Sequence, residues 1–453
     1  MKRYNFTQKR VLLSILFLIL IKPAFSQDTL SLEETFSIAI KENLDIKISA
    51  NYKEKANNKS KMGNAGLLPK VNLIGSSSYN QGKSSLDFAT NDFPNVEDVS
   101  SESSNINGAI EISYNVFNGL GSIYTYKKLN KQNDSKSIEL QIQIEQTLIQ
   151  SAKNYYDIAF LQEQYSINLK LVEISLERYK RIKIQNEFGN ASHLDVLSAE
   201  IDLNSDSVNL INTSVELNNS KQILNQILNR KIDTDFIVIQ KVNINKDLKY
   251  LKLKEQVINN NNNILLQQNK LEIAETDKKI NRSYFMPKIN LSGQYGYSNM
   301  QSNTSLITDQ TSLGTTGYIN LSWNLFDGLS KHSMIQNAKI DVESNKLQLE
   351  GVKNEIDKDL SNTFNQYSNN INLIEIETRN LVSAEKFFTR AKEQYYQGQL
   401  SRNDFRIAQV DLGRSKNRLN RNNYITKIAE LNLYRLSAQI IQINNEKNKV
   451  KLP

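Results

Sequence analysis

The sequence predicts an α+β fold written twice, in which a strand pair leads into a very long helical hairpin. Three observations carry that expectation. First, segments return in fixed order. Leu68-Pro69-Lys70-Val71-Asn72-Leu73 returns as Met286-Pro287-Lys288-Ile289-Asn290-Leu291, and Asn115-Val116-Phe117-Asn118-Gly119-Leu120 as Asn324-Leu325-Phe326-Asp327-Gly328-Leu329. Phe188-Gly189-Asn190-Ala191-Ser192, with Asp195 after it, returns as Gln397-Gly398-Gln399-Leu400-Ser401, with Asp404 after it. Phe117 to Phe326 and Gly189 to Gly398 share one offset of 209 residues, so these are matching places in a duplicated architecture. Second, within each copy the apolar pattern passes from period two to a helical period. Third, only five prolines and sixteen glycines occur in 453 residues, several of them at corners of the repeat, so the elements between them are long.

Taken in order, the chain opens on Lys2, Arg3, Lys9 and Arg10, then an apolar run from Val11 to Ile21 broken only by Ser14. Ala24-Phe25-Ser26 is a small-x-small site. This is the pattern of a secretory signal peptide over residues 1–26, with a mature start near Gln27. The run is shorter than the ~20 apolar residues of a spanning helix. Ser31 and Glu34 fit a capping box that opens a helix to about Asn64, ended by Gly66 and Pro69.

Two strands follow in each copy. Ile110, Ile112, Tyr114 and Val116 alternate with Glu111, Ser113 and Asn115; Ile319, Leu321, Trp323 and Leu325 alternate with Asn320, Ser322 and Asn324. Their partners are Val71 to Tyr79 and Ile289 to Tyr297. The connections, about Gln81 to Asn105 and Asn299 to Gly314, read as polar hairpin loops. Asn118-Gly119 and Asp327-Gly328 make corners into helices with no proline, Gly121 to about Phe188 and Ser330 to about Gln397. Each would be roughly 100 Å long. Inside them, Leu148, Ala152, Tyr155 and Ala159, and later Leu360, Phe364, Tyr367, Ile371 and Ile374, follow a coiled-coil rhythm.

Gly189 and Gly398 turn these helices back into returns at about Ser192 to Asn229 and Ser401 to Ile443. Phe236 to Ile239 is a short β-like run in a connector, and a helix over Leu251 to Asn281 leads into the second strand pair. The repeats therefore span 27–240 and 241–443, with a polar tail at 444–453.

Composition narrows the function classes. The absence of cysteine excludes a disulfide scaffold, a thiolate metal site and an acylated N-terminal cysteine. The net charge of +8 includes five basic residues in the signal segment, which leaves the mature chain near +3. Its basic residues are interspersed with acids, which gives nucleic-acid binding no support. His193 and His332 are too few and too far apart for a histidine metal cluster. No catalytic constellation and no phosphate-binding Gly-x-x-x-x-Gly-Lys-Ser/Thr loop occurs, so nothing in the sequence suggests catalysis or nucleotide binding. The mean hydropathy of −0.51 would suit a soluble protein, but β-barrel strands alternate and average to polar.

The strands decide the physical object. Each has one apolar and one polar face, and no element is left over to cover the apolar face in water. In a bilayer that face can meet lipid while the polar face lines water. A membrane sheet must close on itself, because open edges leave unpaired backbone groups in hydrocarbon. Four strands are too few, since the smallest such barrels have about eight. The barrel must be shared, with eight strands from two chains or twelve from three.

The paired Pro-Lys strand starts, Phe-Asn/Asp-Gly-Leu strand ends and Gly-plus-Ser-x-x-Asp turns resemble those of TolC-like outer-membrane efflux proteins, over essentially all of the mature chain. The resemblance implies an α+β membrane protein, a long antiparallel α-helical barrel continued into a shared transmembrane β-barrel with four strands per chain. It implies a homotrimer in the cell outer membrane of a Gram-negative bacterium, with its helices in the periplasm. The expected function is a passive, non-enzymatic exit duct of a tripartite efflux or type I secretion system. The expected partners are a periplasmic adaptor protein, an inner-membrane pump and outer-membrane lipid; no cofactor or metal is expected. The rival reading is a secreted or periplasmic coiled-coil scaffold or adaptor. An adaptor would carry a compact β-rich domain between its helices, and the duplicated strand pairs count against it.

The resemblance also places residues. Gly189-Asn190-Ala191 and Gly398-Gln399-Leu400 are expected at periplasmic tips that the adaptor grips, although glycine also serves there simply as a helix-turn residue. Asp195 and Asp404 are expected at the pore aperture, although Ser-x-x-Asp is itself a helix cap. Relatives place a second acid where this chain has Ile407, and a latch arginine where it has Leu400. Tyr395 matches a latch tyrosine and is expected within reach of Asp195. His193 reads as a solvated surface residue. Tyr114, Tyr295, Tyr297, Tyr318 and Trp323 are expected as aromatics at the membrane interface.

Overall fold

The computed structural model describes residues 29–90, 92, 94–305 and 307–442. The expected signal peptide, its cleavage site and the polar tail lie outside the described residues. The elements run β1 (Thr29–Leu30), α1 (Leu32–Glu42), α2 (Leu44–Lys59), β2 (Lys70–Leu86), β3 (Val96–Phe117), α3 (Gly121–Glu187) and α4 (His193–Ile227). They continue with β4 (Ile237–Val238), α5 (Tyr250–Asn260), α6 (Asn262–Ser283), β5 (Lys288–Ser302), β6 (Asp309–Ser322), α7 (Ser330–Tyr396) and α8 (Arg402–Leu436). The two halves agree closely: α3 and α7 have 67 residues each, and α4 and α8 have 35 each.

The chain divides into two units. One takes the chain up to Lys47, Gln143–Asn261 and Ile356 onward; the other takes Ile48–Ile142 and Asn262–Glu355. The first holds most of the apolar core. Leu148, Ala152, Tyr155 and Ala159 of α3 are buried as their spacing predicts, with Leu360 and Tyr367 of α7. Phe364, Ile371 and Ile374 are half-buried. The β-like run forms β4, which pairs in parallel with β1 through Thr29–Ile237 and Leu30–Val238. The Tyr155 hydroxyl clamps this pair by donating to the carbonyls of Leu30 and Ile239.

Two expected helices are each broken in two. The helix expected from Ser31 to about Asn64 starts with its capping box but breaks at Asn43 and ends at Lys59. The helix expected over Leu251 to Asn281 breaks at Asn261. Both asparagines take extended backbone. The Asn43 side-chain amide donates to the Ile227 carbonyl at 2.8 Å, and that of Asn261 to the Leu436 carbonyl at 2.9 Å. Each break thereby satisfies a carbonyl that the end of a return helix would otherwise leave orphaned.

The second unit contains an antiparallel sheet of order β2-β3-β5-β6. Register sorts its faces. Val71, Leu73, Ile110, Ile112, Tyr114, Leu291, Tyr295, Tyr297, Ile319 and Leu321 share one face through the pairs Leu73–Ile110, Tyr114–Leu291, Ile110–Tyr295 and Leu291–Ile319. Asn72, Glu111, Ser113, Asn290, Ser292, Gln294 and Asn320 share the other. The apolar residues lie open, with Leu73 83% and Ile319 78% exposed. Among the described residues, neither β2 nor β6 has a partner on its outer edge. No described helix is long and apolar enough to cross a membrane.

Three strand expectations are corrected. The strands reach well into the expected loops, because Ser100 to Asn105 pair with Lys83 to Ser78 while being polar on both faces. β6 stops at Ser322, opposite Lys288, and the next residue along β5's start is Pro287, which has no N–H to extend the ladder. Trp323 and Asn324 are therefore not alternating strand residues; the Trp323 indole donates to the Phe285 carbonyl at 3.0 Å. Tyr318 pairs with Ser292 and stands on the polar face, unlike Tyr114, Tyr295 and Tyr297.

The corner at Asn118-Gly119 depends on glycine twice. Gly119 has φ +69°, and a Cβ there would lie 2.5 Å from the Ser283 carbonyl oxygen and 2.7 Å from Met286 Cβ. Gly328 repeats the conformation, φ +68°, in open space.

Candidate functional site at the helix turns

Two residues beyond the ends of α3 and α7 the chain turns at Gly189 and Gly398, with φ +75° and +77°. In each turn the residue after glycine donates back to the helix: Asn190 N–H to Gln185 O at 2.7 Å, and Gln399 N–H to Gln394 O at 2.8 Å. These bonds satisfy terminal carbonyls, and the positive φ is what demands glycine. No neighbour lies within 4 Å of a Cβ built at either position. Gly189, Asn190, Gly398 and Gln399 are exposed, whereas Ala191 and Leu400 are half-buried against small apolar clusters.

The return helices begin with paired caps. Ser192 Oγ accepts from Asp195 N–H at 3.2 Å, and Asp195 Oδ2 accepts from Ser192 N–H at 3.0 Å. Ser401 Oγ accepts from Asp404 N–H at 3.2 Å and donates to Asp404 Oδ2 at 2.7 Å. Ser192 and Ser401 are the caps; Asp195 closes a reciprocal capping box, whereas Asp404 holds only the Ser401 hydroxyl, and both acids sit in the first turn where they favour the helix dipole.

The acids differ in their third partner. Arg402 Nη1 reaches Asp195 Oδ1 at 2.7 Å and the Asp195 carbonyl at 3.1 Å, joining the second turn to the first. The Ser192 backbone N–H and hydroxyl, with Arg402 behind them, hold the Asp195 carboxyl below the ordinary aspartate value. Asp404 makes no ion pair among the described residues and is exposed.

Tyr395 does not meet Asp195. It stacks on Phe405 at 4.6 Å with the rings 5° from parallel, and Phe405 is 1% exposed. Arg181 lies over both Tyr395 and Tyr396, at 5.7 and 4.9 Å from the ring centroids. Tyr396 donates its hydroxyl to Glu177 at 2.7 Å, and its pKa is pushed up to about 12 by burial and that carboxylate. Burial also raises the Tyr395 hydroxyl.

Further along the hairpins is a buried polar cluster that the sequence reading missed. Arg406 of α8 makes two bonds to Asp206 of α4, at 2.6 and 2.7 Å. Asp206 also accepts from Ser175 of α3 at 2.5 Å. Arg178 of α3 pairs with Asp202 of α4 at 2.5 Å with its side chain 1% exposed. Burial lowers the Arg178 pKa, which Asp202 opposes. The cluster welds α3, α4 and α8 together. The only available signal was asymmetry under the 209-residue offset, which sets Arg402 against His193 and Arg406 against Leu197.

A family model described as outer membrane efflux protein matches residues 35–230 and 253–439. No curated protein matches the sequence. Among solved structures, the chain is similar to the CmeC outer membrane channel of Campylobacter jejuni, with TM-score 0.77, 14% identity, and 93% of this chain and 90% of that one covered. It is also similar to a membrane protein from Pseudomonas aeruginosa, with TM-score 0.76, 14% identity and 90% of each chain covered. The open state of the MtrE outer membrane channel of Neisseria gonorrhoeae matches with TM-score 0.69, 14% identity and coverage of 90% and 89%. At these identities the structures show a shared fold.

Proposed function

The chain belongs to the outer membrane efflux protein family, and we propose that it is the passive exit duct of a tripartite efflux or type I secretion system. The observation that carries this reading is the sheet with one apolar face, one polar face and, among the described residues, two unpaired edges. Such a sheet fits a bilayer when copies join edge to edge, lipid outside and water within. A homotrimer would supply twelve strands. Tyr114, Tyr295 and Tyr297, on the apolar face, are suited to the membrane interface.

In this reading the signal segment 1–26 is removed, and the repeats 27–240 and 241–443 each give one strand pair and one helical hairpin to the duct. The exposed turns at Gly189-Asn190-Ala191 and Gly398-Gln399-Leu400 project toward a periplasmic adaptor, which links the duct to an inner-membrane pump. Asp404 presents an uncompensated carboxylate near the narrow end, where a ring of three would favour cations. Asp195 serves to tie one turn to the other through Arg402. The duct carries out no chemistry.

Membrane fractionation with conductance tests this reading. The protein should stay with outer membranes after salt and carbonate washing and form channels in planar bilayers. Release by the wash, with no conductance, would favour the coiled-coil scaffold.

A further inference from the structure

We propose that α4 of one copy of the chain packs against α7 of a second copy in an antiparallel coiled-coil seam, with Asn204 opposite Ser383 and Glu200 paired with Lys386. The proposal rests on the reading that copies of the chain assemble, and it adds where their helices meet.

Contacts within one chain leave these two helices at opposite edges. α3 and α8 hold the middle, where Gln409 of α8 donates to the Leu171 carbonyl of α3 at 3.3 Å. α4 hangs on that pair through Asp202–Arg178 and Asp206–Arg406. α7 hangs on it through Glu377–Arg418 and through the Tyr396 hydroxyl on Glu177. Among the described residues no hydrogen bond or ion pair joins α4 to α7.

Both edges carry an apolar stripe. Ile201, Val208, Ile211 and Val215 of α4 are 68, 54, 62 and 53% exposed. Leu373, Ile376 and Phe387 of α7 are 44, 44 and 51% exposed. With Asn204 in one gap and Asn380 and Ser383 in the others, both stripes advance in alternating steps of three and four, the spacing of a helix-on-helix seam.

The stripes also match in height. Arg402 ties the two turns together, and α4 leaves its turn while α7 approaches its own. Ile211 lies 22 residues after Gly189, and Ile376 lies 22 before Gly398. Asn204 and Ser383 lie 15 from their glycines, Ile201 and Phe387 12 and 11, Val215 and Leu373 26 and 25. Copies related by rotation about an axis along the helices keep their turns level, so each residue of one stripe meets its counterpart. A polar pair inside an apolar seam fixes register, the part assigned to Asn204 and Ser383.

Charge favours the same partner. Glu200 and Lys386 each precede a seam residue, 11 and 12 residues from their glycines, and both are exposed with no ion pair among the described residues. Positions that flank a seam are where helices pair charges. The nearby acids are engaged elsewhere: Asp195 with Arg402, Asp202 with Arg178, and Glu385 with Lys416. Arg390, one turn beyond Lys386, adds a second cation to the α7 side.

The test is disulfide crosslinking in outer membranes, since the chain has no cysteine of its own. Ile211→Cys with Ile376→Cys should, on oxidation, shift the single-chain band of a non-reducing denaturing gel to two-chain and three-chain bands. Ile211→Cys with Phe387→Cys is the control, because 11 residues displace the second thiol by about 16 Å, beyond the ~7 Å Cα separation a disulfide spans. Glu200→Lys should lower the temperature at which the detergent-solubilised oligomer dissociates, and adding Lys386→Glu should restore it. No crosslink in the level pair, equal crosslinking by the control, or a charge swap that restores nothing overturns the seam. Light scattering on the same sample separates the two readings: an oligomer without the crosslink overturns the seam alone, and a single-chain particle overturns both. If the cysteine variants do not fold, the charge swap decides, because both its positions lie at the helix surface.

Discussion

Arg402 Nη1 meets Asp195 Oδ1 at 2.7 Å although the two residues are 207 positions apart, so the second helix turn is tied to the first. The Asp195 carboxyl is held below its ordinary value, first by Ser192 and then by Arg402. The sign follows: a depressed acid stabilises the fold above its unfolded value and loses that contribution as pH falls through the folded one. The tie should persist from pH 7 to pH 5 and loosen only below the ordinary aspartate range. Arg402→Ala should loosen it at every pH. Hydrogen exchange over residues 190–198 measures both effects; a loosening centred above pH 5 in the unaltered protein would contradict them.

Among the described residues Asp195 is ion-paired and Asp404 is not, so the two acids should act differently on permeating ions. Asp404→Asn should lower cation preference and weaken block by multivalent cations, while the fold survives because the cap is Ser401 and the asparagine side-chain oxygen can still accept from its hydroxyl. Asp195→Asn should change selectivity little. Single-channel recordings compare them. Identical selectivity in the unaltered protein and Asp404→Asn would leave that carboxylate only its bond to the Ser401 cap.

The Arg406–Asp206 pair should be a large local contributor to stability. Asp206→Ala leaves the partly buried Arg406 guanidinium only its longer contact with Asp202, at 3.9 Å, and should cost about 3 kcal/mol. Replacing both partners, Arg406→Met with Asp206→Leu, should restore much of the loss, because no charge is then left alone. Thermal unfolding of the single and double variants checks the order. A double variant as unstable as the single would show that the pair's geometry, not its stranded charge, matters.

On the sheet, Ile319 faces the apolar side and its neighbour Asn320 the polar side. Ile319→Arg should impair membrane assembly, at about 2–4 kcal/mol near mid-bilayer. Asn320→Arg should be better tolerated. Heat-modifiable migration of the two variants in outer-membrane fractions gives the comparison, and equal tolerance would remove the lipid-facing assignment.

The long helices, both glycine turns, both Ser-x-x-Asp caps and the strand pairs were legible because each rests on local chemistry: a proline-free run, a positive φ, a hydroxyl three residues before an acid. Other features were hidden for physical reasons. Asn43 and Asn261 break helices by bonding to Ile227 and Leu436, partners that no local pattern reveals. The strand residues Ser100 to Asn105 are held by backbone pairing and carry no apolar alternation. Tyr395 was expected near Asp195, but Phe405 offers it a stacking partner and Arg402 takes the acid. Arg406 and Asp206 lie 200 positions apart, beyond any motif's reach.

The central claim is that this four-stranded sheet is completed only by other copies of the chain. The direct measurement is the mass of the detergent-solubilised, folded particle by light scattering, with the detergent contribution subtracted. A particle of three chains is predicted, matching a twelve-stranded barrel. A stable, correctly folded single chain would contradict the account.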